Sequence, residues 1–222
     1  MDAEKQVMKK FAILCGLVFF ASNAALAQES SSARGDAERG QELSQTCAAC
    51  HGADGNSPSG DFPTIAGQHS KYLAKQLRDY QLGNETNGER GRYNVLMADQ
   101  VEGLSEQDIL DLSAYFAAQQ HEIVGSDLSE EEIAEAQRLF LGGDENRNIT
   151  GCAACHGPRG NGMGLAAFPI VGGQHAQYTR TMLEQFRDGD RTNDPNAMMR
   201  DVSSQLTDAD IELLSRYLSG LY

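Results

Sequence analysis

Two short stretches of the 222-residue chain hold residue types that do chemistry. They are Cys47-Ala48-Ala49-Cys50-His51 and Cys152-Ala153-Ala154-Cys155-His156. Two thiols three positions apart can add across the two vinyl groups of one porphyrin. The histidine that follows then lies beside the iron, so the pattern is a signature of covalent c-type haem attachment. A second copy in a matching context makes the reading much more specific, and two covalent haem c groups are expected. Other uses of paired cysteines fit less well. A four-thiolate zinc site would have to join pairs about a hundred residues apart, far from the usual ligand spacing. A redox dithiol belongs to a βαβ context that this sequence does not show. Structural disulfides fit an exported chain, but not this tight spacing with histidine.

An iron held by histidine has a sixth position to fill. Residues 28–124 contain one methionine, Met97. In the second half Met163, Met182, Met198 and Met199 compete. Asn94-x-x-Met97 aligns with Asn196-x-x-Met199, which makes Met97 and Met199 the expected axial partners of His51 and His156. Met198 is the alternative if the register slips by one. A His/Met iron has no free position for substrate or oxygen, and thioether ligation favours a raised potential. Such a site moves electrons without bond chemistry, so no catalytic residue is expected. A proximal histidine also needs its second ring nitrogen held, commonly by a backbone carbonyl. Pro63 and Pro169, each after a phenylalanine in the loop beyond the motif, are placed to supply one.

The elements that position these residues repeat. Cys47–Gly52 recurs as Cys152–Gly157, Phe62-Pro63 as Phe168-Pro169, and Gly67-Gln68-His69-x-x-Tyr72 as Gly173-Gln174-His175-x-x-Tyr178. Two units of this length suit two small domains, 28–124 and 125–222, with the boundary near 121–127. Each unit reads as helical. Helices are expected over 36–45, 70–82, 129–141 and 177–188. Ser105-x-x-Asp108 and Thr207-x-x-Asp210 each open a last helix with a capping-box pattern. No strand pattern stands out. His69 and His175 read as helix-start or interface residues, with distal iron ligation or a place near the haem propionates as the alternatives. His121 has no counterpart in the other half and reads as linker surface.

The N-terminus is a targeting segment. Lys9 and Lys10 precede the apolar run 11–21, and Ala25-Leu26-Ala27 forms a cleavage site, so 1–27 is expected to be a secretory signal. The run is too short to span a bilayer. The net charge of −14 at pH 7 excludes a basic nucleic-acid-binding face, and removal of 1–27 makes the chain more acidic still. A partner with a basic docking patch would complement it. Trp is absent and aromatics are 7% of the chain, a thin supply for two small cores. A covalently held porphyrin would fill them.

Together the paired CAACHG, the paired Phe-Pro loops, the Gly-Gln-His-x-x-Tyr stretches, the paired Asn-x-x-Met and the aromatic last helices resemble the di-haem cytochrome c4 family over residues 34–222. The resemblance implies an all-α fold of two tandem class I cytochrome c domains, each wrapped around one covalent haem. It also implies a small residue on the first helix packed against an aromatic of the last. Gly40 fits this opposite Tyr115, while the second half offers Ala136. It implies a periplasmic shuttle of single electrons from a donor such as a quinol-oxidising complex toward a terminal oxidase, compatible with peripheral membrane association. Two rivals stand beside this: a cytochrome subunit of a dehydrogenase complex such as a flavocytochrome, and a di-haem peroxidase, which would need two unlike sites.

Overall fold

The computed structural model describes residues 34–222. The signal expected at 1–27 lies outside the described residues. Within them the chain is helical, with isolated bridges at Asp144–Ile149 and Met163–Phe168 and no longer strand. The first half carries α1 (Ala37–Leu43), α2 (Ala48–His51), α3 (Ser70–Glu85), α4 (Val95–Val101) and α5 (Glu106–Ala117). The second carries α6 (Glu130–Gly142), α7 (Ala153–His156), α8 (Ala176–Asp188), α9 (Met198–Ser203) and α10 (Asp208–Ser219). Residues 121–129 join them without regular structure.

Side chains set the helix starts as the sequence reading expects. Asp36 accepts the Glu38 and Arg39 amides at 3.0 and 3.3 Å and starts α1. Both predicted capping boxes form, Ser105 with Asp108 and Thr207 with Asp210, and Ser129 with Glu132 adds a third. Each satisfies two otherwise orphaned amides. α3 outruns its expected end at Leu82 because Thr86 caps the final turn, donating from its amide and its hydroxyl to the Leu82 carbonyl at 3.1 and 2.7 Å.

Each half closes around the crossing of its first and last long helices. In the first half α1 lies so close to α5 that a Cβ built on Gly40 would fall 2.1 Å from the Asp111 carbonyl oxygen and 2.8 Å from Tyr115 Cβ. In the second half Ala136 on α6 is wholly buried against α10, in a cluster with Phe140, Ile211, Leu214 and Tyr217. That crossing accommodates a methyl group, so the two halves pack differently at the same place. Cys47 and Cys152 each pack against the core cluster of their own half, which anchors the chemistry-bearing turns to the helix crossings.

Candidate haem sites

Each Cys-x-x-Cys-His segment is one short helical turn. His51 donates its amide to the Cys47 carbonyl at 3.0 Å, and His156 donates to Cys152 at 2.9 Å. Positions i, i+3 and i+4 share one helix face, so both thiols and the imidazole face the same way. A glycine with φ near +79° (Gly52) or +75° (Gly157) then ends the turn, a backbone conformation that glycine adopts without a Cβ penalty.

Both imidazoles are buried, His51 at 8% exposure and His156 at 7%. In each, Nδ1 lies 2.9 Å from a proline carbonyl, Pro63 and Pro169 respectively. Since a carbonyl only accepts, Nδ1 carries the proton and Nε2 presents its lone pair. Burial holds both imidazoles below their ordinary pKa, although the proline carbonyls pull the other way. A neutral ring fixed through Nδ1 is the form that binds iron. The four cysteines form no disulfide with one another. Burial pushes the Cys47 thiol up, and the Cys152 thiol up to about 11. Among the described residues no three His, Cys, Asp or Glu side chains converge, so the two pairs do not meet as a four-thiolate site. The donor set of each half fits a c-type haem: two uncharged thiols and one oriented imidazole on a single turn.

Met97 and Met199 lie half-buried on α4 and α9. Val101 and Ser203, four residues beyond each, are both fully buried, so each methionine lies one turn before a buried residue. Their caps differ. Asn94 accepts the Leu96 and Met97 amides at 3.0 and 3.2 Å. Asn196 instead sits in a left-handed turn at φ 54°, and Asp194 accepts the Met199 and Arg200 amides, each at 3.0 Å. The aligned asparagines therefore do different work. Met198 is half-buried like Met199, Met163 is exposed, and the Met182 sulfur accepts hydrogen bonds from Arg92 and Arg191.

The two halves dock through crossed contacts. The side-chain amide of Gln68 donates to the Ile170 carbonyl and accepts the Ile170 amide, both at 2.9 Å. Gln174 does the same to Thr64 at 2.8 and 3.0 Å. His69 Nε2 lies 3.0 Å from the Asn161 carbonyl, and His175 Nε2 lies 2.9 Å from that of Ser57. These two histidines are interface residues at helix starts. His121 is not linker surface. Its Nδ1 is 3.1 Å from the Ala66 carbonyl, and its ring lies so close over Gly173 that a Cβ there would be 2.4 Å from Nε2. The repeat comparison missed His121 because nothing matches it in the other half. Replacement of Gln174 by alanine would strand the buried Thr64 amide and carbonyl together, at a cost of about 3 kcal/mol. Chemical denaturation and hydrogen exchange at the Thr64 amide measure this; unchanged protection there would show that water replaces the glutamine.

An all-helical fold with two like-built Cys-x-x-Cys-His turns defines a tandem c-type cytochrome. The cytochrome c family pattern matches residues 37–120 and 133–221. A cytochrome c4 of Stutzerimonas stutzeri is 44% identical over 193 residues, covering 86% of this chain and 91% of that protein. The crystal structure of reduced recombinant cytochrome c4 from Pseudomonas stutzeri superposes with a TM-score of 0.81 at 43% identity, over 85% of this chain and all of that one. A thiosulfate dehydrogenase electron acceptor of Stutzerimonas stutzeri strain A1501 is 36% identical over 179 residues, 79% of this chain and 78% of that protein. The chain belongs to the cytochrome c4 family. It is a di-haem electron-transfer cytochrome that carries two covalent haem c groups.

Proposed function

We propose that the protein is a periplasmic single-electron shuttle with no catalytic site of its own. Cys47 and Cys50 hold one haem, Cys152 and Cys155 the other. His51 with Met97 and His156 with Met199 bind the two irons, in domains spanning 28–124 and 125–222, after removal of the signal 1–27. The iron supplies the one-electron couple. The chain's own residues orient the imidazoles, place a sulfur opposite each and close the halves against one another. The likeness of the two sites carries this reading: the histidine–proline hydrogen bond is 2.9 Å in both. A di-haem peroxidase needs one site with an exchangeable position, and nothing in the paired geometry distinguishes such a site.

The electron donor would be a quinol-oxidising complex and the acceptor a terminal oxidase. A second reading is favoured by one relative, named as an electron acceptor of thiosulfate dehydrogenase: the protein would then receive electrons from a periplasmic dehydrogenase. Mixing the oxidised cytochrome with each class of donor and following haem reduction separates the two, because the physiological donor reduces it rapidly at low ionic strength and more slowly as salt rises. Haem attachment has its own test. The mass of the mature chain should exceed the apoprotein mass by two haems, and acid–acetone extraction should leave all the colour with the protein. Colour in the solvent would reject covalent attachment.

A further inference from the structure

The hydrogen bonds of the two motif histidines do not stop at the prolines. The Pro63 carbonyl that accepts from His51 Nδ1 at 2.9 Å belongs to the same peptide group as the Thr64 amide. That amide donates to the side-chain carbonyl of Gln174, in the other half, at 3.0 Å. The second site repeats the chain. His156 Nδ1 donates to the Pro169 carbonyl at 2.9 Å, and the Ile170 amide of that peptide group donates to the side-chain carbonyl of Gln68 at 2.9 Å. Each imidazole is therefore joined, through one peptide group, to a glutamine of the opposite half.

The links are held in place. Thr64, Gln68, Gln174 and both imidazoles are buried. Each glutamine also donates from its side-chain nitrogen to the carbonyl of the residue whose amide it accepts, Thr64 at 2.8 Å and Ile170 at 2.9 Å. Its oxygen accepts a further amide from its own chain, that of His175 or His69, at 3.0 Å. A peptide group whose N–H is hydrogen-bonded carries more negative charge on its oxygen. Bonds in such a chain strengthen one another by about 10–30% each in a low-dielectric interior. A stronger acceptor at Nδ1 makes the imidazole a more basic ligand, which favours ferric iron.

We propose that Gln174 and Gln68 are positioning residues for electron transfer: each tunes the iron of the opposite half through the peptide group that the motif histidine grips. This rests on the reading of His51 and His156 as iron ligands and is independent of the sixth ligands. The coupling is reciprocal. Loss of an electron from one iron strengthens the chain as far as the other half, so oxidation tightens the joint, and closure of the joint favours the oxidised state.

The test is proton–nitrogen NMR of the ferrous holoprotein with ¹⁵N-labelled histidine and backbone, in wild type and in Gln174→Met. The Nδ1–H signal of His51 should move upfield, the mark of a weaker hydrogen bond. The Ile170 amide, which Gln68 holds, reports whether the halves stay closed. If it remains protected from exchange, the His156 signal should keep its wild-type position, and only the iron of the first half should become easier to reduce. A threefold change in that equilibrium reads as about 28 mV for a one-electron couple. If the Ile170 amide exchanges, the halves have parted and both signals should move together. An unmoved His51 signal in either case, or a shift of His156 alone, overturns the proposal. Gln177→Met is the control. It removes a hydrogen bond to Asp61 at 2.6 Å that crosses the joint outside the two chains, so both signals should stay in place; a shift equal to that of Gln174→Met would assign the effect to a loosened joint and overturn the proposal. The ligand reading is checked in the same spectra, because the ring current of a bound porphyrin displaces the carbon-bound protons of the imidazole. Undisplaced protons would overturn the ligand reading and the chain with it, whereas displaced protons beside an unmoved Nδ1–H overturn the chain alone. A second readout needs no variant. In the oxidised-minus-reduced infrared difference spectrum of wild-type protein with ¹³C-labelled glutamine side-chain carbonyls, labelled amide bands should appear; a spectrum without them overturns the proposal.

Discussion

Replacing Met97 or Met199 with alanine should each remove about half of the weak near-infrared absorption that marks sulfur bound to ferric haem. Each variant should also gain carbon monoxide binding at one iron and hold that iron at a lower potential. The expectation starts from the helix registers. Val101 and Ser203 are both fully buried, each one helical turn beyond its methionine, so the two methionines share a register to a buried residue despite different caps. Alternatives in the second half are weaker. Met182 is occupied by two arginines, Met163 is exposed, and Met198 lies one residue off the register that Met97 and Met199 share. Alanine leaves the sixth position to water or an exogenous ligand, and the iron loses a donor that favours the ferrous state. If Met199→Ala kept the full absorption while Met198→Ala lost half, the register would be wrong by one residue.

Gly40→Ala should destabilise the first half by at least about 3 kcal/mol, beyond the usual range for one added methyl in a packed site. The new Cβ would sit 2.1 Å from a backbone carbonyl oxygen of α5. A side chain could rotate away; a helix backbone cannot, so α1 and α5 must separate by about an ångström, loosening contacts throughout the crossing. The reverse change at the corresponding place, Ala136→Gly on α6, only removes a buried methyl and adds helix entropy, about 1–2 kcal/mol. Guanidinium titrations followed in the haem bands would show the half carrying Gly40→Ala melting first. A variant within about 0.5 kcal/mol of wild type would mean that the helices can part freely.

Much of this architecture is local and therefore legible in the sequence. Capping residues, the Phe-Pro loops and the cysteine turns act over a few positions, and the repeat doubles each signal. The parts that were not legible depend on how the halves meet. Arg92 and Arg191 stand at non-corresponding positions of the repeat, because the loops before the methionine helices differ in length, yet they arrive at one glutamine oxygen, that of Gln76. His121 has no repeat partner at all. The Gln68 and Gln174 pairs were visible as recurring residues, but their use was not: they hydrogen-bond to the opposite backbone, which leaves Tyr72 and Tyr178 as the recurring side chains beside the arginines. The exchange of Asn94 for Asp194 as helix cap has the same origin. Sequence alignment pairs residues by position, whereas a cap is chosen by where the loop brings an acceptor.

The run at 121–129, which has no helix or strand and is hydrogen-bonded to both halves, joins them in one molecule and makes their closure a matter of mass action. A short tether presents each half to the other at an effective concentration of about 1 mM. If the separated halves bound with a Kd of about 10 μM, the joined molecule would be closed about 99% of the time. Weakening the contact tenfold, about 1.4 kcal/mol, would leave it roughly 90% closed. A loss of about 3 kcal/mol would leave it open more than half the time. Tethering thus makes the crossed interface tolerant of one lost hydrogen bond, while a substitution that strands two buried groups at once takes it past the midpoint between shut and open.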